Sequence, residues 1–423
     1  MTERQEHWED YEQSRTRAGL VLGLWLSGVF LTSLGGWFEH GRGAMMSMVP
    51  LGIAIVWPLL YFALSRCQFV PRALPVGSTG ALVVFALTSA LSSFMSPVPL
   101  LSIGYVALTL AGVWLALQFN SNLTDDQYEQ GLKVFAVLMT IILISFAWYD
   151  YAPGKRLGTG KDVLNPNSIA LVATSVLLAA MAFRTLVVRL ICMTPIAGII
   201  VLTSSRTATV AAIVGLAMII GFRLRANRRP VLVLAGIGVL LLAGAGMLYG
   251  DVLYPLLDRF YDLSRADRGI GSGATGRTAA WKATWDMFVR NPLLGVGFRA
   301  HEQFLKVDSS AHNGYLATLA EVGIVGFLAV TCLVLQGLRK LWMSSNGSEP
   351  VHISSLLFGV GIAYLLLAVF ERYLINVGNP TSLLFLLCIM RPDTTESDSM
   401  EAAESWLVPE DDVAGEFADE MPG

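Results

Sequence analysis

The chain has 423 residues, 54% of them hydrophobic and only 14% charged, with a mean hydropathy of +0.59. A soluble globular domain carries about 25% charged residues, so this composition excludes one. The net charge of −3 conceals a division: from Pro392 onward there are 11 acidic residues and no Lys or Arg, leaving the rest, with 29 basic and 21 acidic residues, at +8.

The apolar residues come in runs of about 17–24, the length of helix that crosses a hydrocarbon core of about 30 Å. Backbone donors and acceptors in lipid must be satisfied within the segment, so the expected fold is all-α, a polytopic bundle of about twelve spans. In chain order the runs predict spans at 18–36, 44–65, 74–93, 98–119, 131–150, 167–183, 186–203, 207–222, 230–248, 313–336, 354–371 and 379–391. The first follows a polar tail, 1–17, and is longer than a signal-peptide core, so it reads as an uncleaved helix. The domain reading is a tail at 1–17, a transmembrane unit at 18–391 and a disordered acidic tail at 392–423. Cys67, Cys192, Cys332 and Cys388 lie in or beside apolar runs without CxxC spacing. They read as small hydrophobes, and no metal or disulfide site is expected from them.

Twelve spans put both termini on one side. If that side is cytoplasmic, its connections hold 15 Lys and Arg against 6 in the short external ones, and the cluster Arg223–Arg229 dominates the count. The remaining connection, 249–312, then falls on the external face. At about 60 residues it is far longer than most connections, and such loops tend to be functional. Within it GRTAAWKATWDMFVRN places Trp281, Trp285 and Phe288 on one helical stripe. That helix suits either the headgroup layer or the top of the bundle.

Spans six, eight and ten are expected to begin on the external side, after Asn165-Pro166-Asn167-Ser168, Ser204-Ser205 and Ser309-Ser310. A helix N-terminus with a nearby cation is an anion site. Arg206 stands at one of these ends, where it either holds phosphate or snorkels to headgroups. His312 opens span ten; a water-accessible imidazole there either accepts a proton from a sugar hydroxyl or caps the helix. Glu321 follows nine residues deeper, about 13 Å along a helix and half a turn out of phase, so no His312–Glu321 dyad is expected.

The strings RLGTGKDVLNPNSIA, LTSSRTATVAAIVGLAMII, GATGRTAAW, NPLLGVGF and HNGYLATLAEVGIVGF follow one another over residues 156–331. As an ordered set they resemble the motifs of the O-antigen ligase and polysaccharide polymerase family. The resemblance implies a GT-C type enzyme of the bacterial inner membrane, acting externally on a glycan carried by a polyprenyl diphosphate. The acceptor would be a hydroxyl of a lipid or glycan; membrane lipids are the other expected partners, and nucleic acid is not. By position it marks Arg206, Arg277 and His312 as catalytic, the two arginines on the donor diphosphate, with Asn313 and Glu321 as supporting candidates. No DxD-like carboxylate pair occurs in the long loop, so a metal-independent, inverting displacement without a cofactor is expected. A polymerase joining lipid-linked repeat units shares the same donor chemistry. A twelve-helix transporter would favour two related halves, which the sequence lacks, and a non-catalytic scaffold would leave the external cations unexplained.

Overall fold

The computed structural model describes residues 3–33, 44–65, 74–159, 164–224, 277–305, 310–346, 352–372 and 374–391. Among the described residues the protein is helical, without strands. The helices are α1 (Glu3–Ser33), α2 (Ala44–Leu64), α3 (Val76–Phe94), α4 (Pro99–Asn122), α5 (Asp125–Asp150) and α6 (Pro166–Ala179). They continue with α7 (Leu186–Leu202), α8 (Arg206–Arg223), α9 (Arg277–Arg290), α10 (Gly314–Asn346), α11 (His352–Ala368) and α12 (Pro380–Ile389). Five of these, α3, α4, α5, α8 and α10, are long and apolar enough to cross a membrane; α1, α2, α6, α7, α11 and α12 contain shorter apolar stretches. The expected ninth span, 230–248, the first part of the long connection and the tail 392–423 lie outside the described residues.

Helix starts follow local chemistry. Thr124 and Gln127 form a reciprocal capping box at α5. Asn165 and Asn379 each accept a backbone N–H at the starts of α6 and α12, and each precedes a Pro at the first helical position, where no N–H is needed. Small residues then set how closely the helices approach. A Cβ on Gly19 would stand 2.5 Å from the Gln127 carbonyl oxygen, and one on Gly23 would stand 2.6 Å from that of Gly131. The backbones of α1 and α5 therefore meet almost directly, in parallel, as membrane helices do where glycines recur.

Similar contacts give the other directions. Gly215 faces Ala363 and Gly359 faces Ile219, so α8 and α11 run antiparallel. Thr174 reaches the Ala208 carbonyl and Leu178 meets Gly215, so α6 and α8 run parallel. Ser78 bonds Gln336 while Ser92 bonds the Glu321 carbonyl, which sets α3 against α10.

One expected helix is not continuous. Residues 313–336 read as an unbroken span, but α10 breaks at Gly323, which has φ 66° and ψ −172°. This left-handed conformation is open to glycine at little cost. The break frees backbone groups inside the bundle, and residues 292–297 dock there to satisfy them: Val296 N–H donates to Ala320 O (2.8 Å), Gly297 N–H to Glu321 O (3.1 Å), and Ile324 N–H to Pro292 O (2.8 Å). Non-helical backbone at such a depth is tolerated when buried in protein and hydrogen-bonded. The strings NPLLGVGF and EVGIVGF are thus two halves of one backbone joint.

Candidate active site

At the end of the bundle where α6 begins and α11 finishes, a cavity of about 250 Å³ opens. Its wall includes Asn165, Asn167 and Ser168 from the start of α6, His312 from the turn before α10, and Phe370, Glu371 and Arg372 from the turn after α11. His312 is held at φ 45°, a left-handed conformation unusual for a non-glycine residue. Asn313 completes the turn: its Oδ1 accepts the N–H groups of Tyr315 and Leu316, both at 3.1 Å, so this residue caps α10 where Ser309-Ser310 were expected to.

Arg277 opens α9, and its guanidinium carbon lies 5.5 Å from the centroid of the Phe370 ring. The helix is where the aromatic stripe predicted it. Its Ala280 and Thr284 are buried, Trp281 packs toward Phe370 at 6.4 Å, and Trp285 is half exposed and lies tilted against Phe288 at 5.2 Å. The helix rests on the bundle, chiefly on α10.

These placements give the pocket its electrostatics. Burial pushes the His312 imidazole down to about 4, and the nearby Arg372 and Arg277 push the same way against weaker support from Glu302. His312 is therefore neutral at pH 7. Burial raises the Glu371 carboxyl to about 7, partly offset by Arg277 and Arg372. Glu302 also ties Arg372 at 3.8 Å.

Arg206 is the first residue of α8, after Ser205 and a left-handed Ser204. Neither Arg206 nor Arg277 belongs to the cavity wall itself. Extending the α8–α11 register from Gly215 and Ala363 sets Arg206 level with the Phe370–Arg372 turn. On α6 the Thr174–Ala208 hydrogen bond sets it level with Val172, which lines the cavity. The structure thus brings Arg277 and His312 together electrostatically and sets Arg206 at the same end of the bundle.

Glu321 is used elsewhere. Its Oε1 lies 2.6 Å from Nδ1 of His301, both residues are buried, and Nε2 of His301 accepts the Ala311 N–H at 3.5 Å. The imidazole is thereby set with its proton on Nδ1, toward Glu321, and the pair holds the backbone immediately before His312. His301 and Glu371 were missed from the sequence. Nothing in the spacing joins His301 to Glu321, because His301 sits in an irregular segment that only the docked joint brings inward. Glu371 read as the last residue of an apolar span.

A family model described as O-antigen ligase matches residues 190–331, from within α7 to the middle of α10. No curated protein matches the chain. The segment takes in Arg206, Arg277 and His312, and with the apolar helices it supports a membrane protein of glycan ligase or polymerase type in surface-glycan biosynthesis. The match over residues 190–331 supports membership of the O-antigen ligase family, the family that the motifs resemble.

Proposed function

We propose that the protein transfers a glycan from a polyprenyl diphosphate carrier to an acceptor hydroxyl at the external face of the bacterial cytoplasmic membrane, as an O-antigen ligase does. The observation that carries this reading is the gathering of Arg277, Arg372 and a neutral His312 around a cavity at the capped start of α6. In such a donor the anomeric carbon is already activated, and the harder task is to stabilise the departing diphosphate. Arg206 and Arg277 supply fixed, forked positive charge for it, and the N–H groups at helix starts add to the field. His312, uncharged and at the cavity wall, hydrogen-bonds the acceptor hydroxyl and orients it toward the anomeric carbon. Direct displacement inverts that centre and needs no divalent metal. The polymerase reading differs only in the acceptor, which would be a second lipid-linked repeat.

The test is transfer by the purified protein from a polyprenyl diphosphate-linked glycan to candidate acceptors, with and without EDTA. Product with inverted anomeric configuration and full turnover in EDTA is the expected result. Turnover lost in EDTA and restored by magnesium would overturn the metal-independent mechanism, and absence of transfer to any lipid or glycan acceptor would overturn the function.

A further inference from the structure

We propose that Glu371 receives the acceptor's proton in this reaction, an inference that rests on the glycan-transfer reading above. Two observations carry it. Glu371 and His312 line the wall of one cavity, so an acceptor hydroxyl held there by the imidazole would share that cavity with Glu371. The charged and titratable groups around it are Arg277 from α9, Arg372 from the same turn, Glu302 bound to Arg372, Tyr364 from α11 and His312 from the segment before α10. A carboxylate among two guanidiniums is ordinarily a weak base, but partial desolvation of this half-buried one raises its proton affinity toward neutral pH. His312, pushed down to about 4, is far less able to hold a proton there.

The chemistry balances without another reactant. The acceptor oxygen bonds to the anomeric carbon as the bond from that carbon to the diphosphate oxygen breaks. The electron pair of the broken bond leaves with the diphosphate, and the hydroxyl proton passes to the Glu371 carboxylate, which releases it to water before the next turnover. The reaction is then divided among three groups: the arginines take the leaving charge, His312 orients the nucleophile and Glu371 removes its proton.

The experiment compares wild type with Glu371→Gln, Glu371→Asp and Arg372→Gln in lipid nanodiscs, using a polyprenyl diphosphate-linked glycan and its acceptor between pH 5.5 and 8.5. Wild-type kcat should rise with pH to a plateau, because only the ionised carboxylate accepts a proton; His312 does not titrate in that window. Glu371→Gln should lose about 100-fold or more in kcat, the usual scale of general-base catalysis, with the donor KM little changed. Its pH profile should be flat. Glu371→Asp should recover at least a tenth of wild-type kcat and keep a pH midpoint. Arg372→Gln should move the midpoint upward, because a nearby cation favours the ionised form, and this readout survives even if the Gln variant fails to fold. A Glu371→Gln protein with more than a third of wild-type kcat, or a midpoint indifferent to Arg372→Gln, overturns the proposal while leaving glycan transfer intact. A wild-type protein inert toward the lipid-linked donor overturns the functional reading itself.

Discussion

The two ends of the bundle use charge in different ways. At the end where α5 begins and α8 finishes, several of the described cations have local carboxylate or carbonyl partners. Lys133 and Arg184 pair with Glu129 at 2.6 and 3.4 Å, and Arg391 pairs with Asp125. Arg189 and Arg223 donate to the carbonyls of Phe183 and Met181, which closes the C-terminal end of α6. At the other end Arg372 and Glu371 line a cavity beside a neutral imidazole, and Arg277 lies near enough to bias both titrating groups. Neighbour-by-neighbour pairing suits anchoring and orientation, since Lys133, Arg184 and Arg391 are each held by a local carboxylate. Convergence of like charges around one half-buried acid is costly to keep in a folded protein, and such arrangements gather at functional sites.

This contrast can be broken by substitution. The largest effect should come from beneath the cavity: Glu321→Leu strands the buried His301 and should destabilise the protein by about 3 kcal/mol. Denaturant unfolding in detergent measures it. The Glu321→Leu/His301→Leu double variant should be less destabilised than the single one, because no polar group is then left without its partner. A double variant that is worse than either single one would show that the pair acts as more than a mutual cap.

Next come the arginines of the cavity end. Arg277→Lys and Arg206→Lys should each lower turnover at least about tenfold, equivalent to 1.4 kcal/mol, because an ammonium does not reproduce a forked contact made mainly in the transition state. Yield of membrane-inserted protein should not change. His312→Gln should also slow turnover while leaving the midpoint of the pH profile where wild type has it, since the imidazole is neutral throughout the assay range. A shifted midpoint in that variant would return the proton to His312. The smallest effect should be at the opposite end: Arg184→Ala, on an exposed side chain, should change stability by less than about 1 kcal/mol and turnover by less than twofold. If Arg184→Ala slowed transfer as much as Arg277→Lys, the distinction between the ends would collapse.

Much of this architecture was legible in the sequence, because run length and bounding residues determine where a helix can begin and end in lipid. α2, α3, α4, α6, α7, α8, α10, α11 and α12 start within two residues of their expected positions. α9 was legible because Trp281, Trp285 and Phe288 share a helical face. The break in α10 was not, since a glycine in an apolar run is compatible with a straight helix, and only the docking of residues 292–297 explains why Gly323 turns left-handed. Arg206, Arg277 and His312 could be singled out by motif, whereas Glu371 could not. Its significance comes from burial and from two guanidiniums, one of which is about ninety residues away in the chain.

The joint at Gly323 also indexes the chain. Residues 292–297 are gripped through backbone atoms, which every sequence provides, so hydrogen bonding alone would let the segment slide. Gly295 prevents this: a Cβ at its position would lie 2.4 Å from the Glu321 carbonyl group, and its φ is 73°. Moving the segment by one residue would push Leu294 or Val296 into that contact. The segment therefore seats in one register, like a key with a single notch, and α9 before it and His301 after it inherit that setting. The segment 292–297, which follows the helix that Arg277 opens, thus has the positional accuracy of a helix without being one.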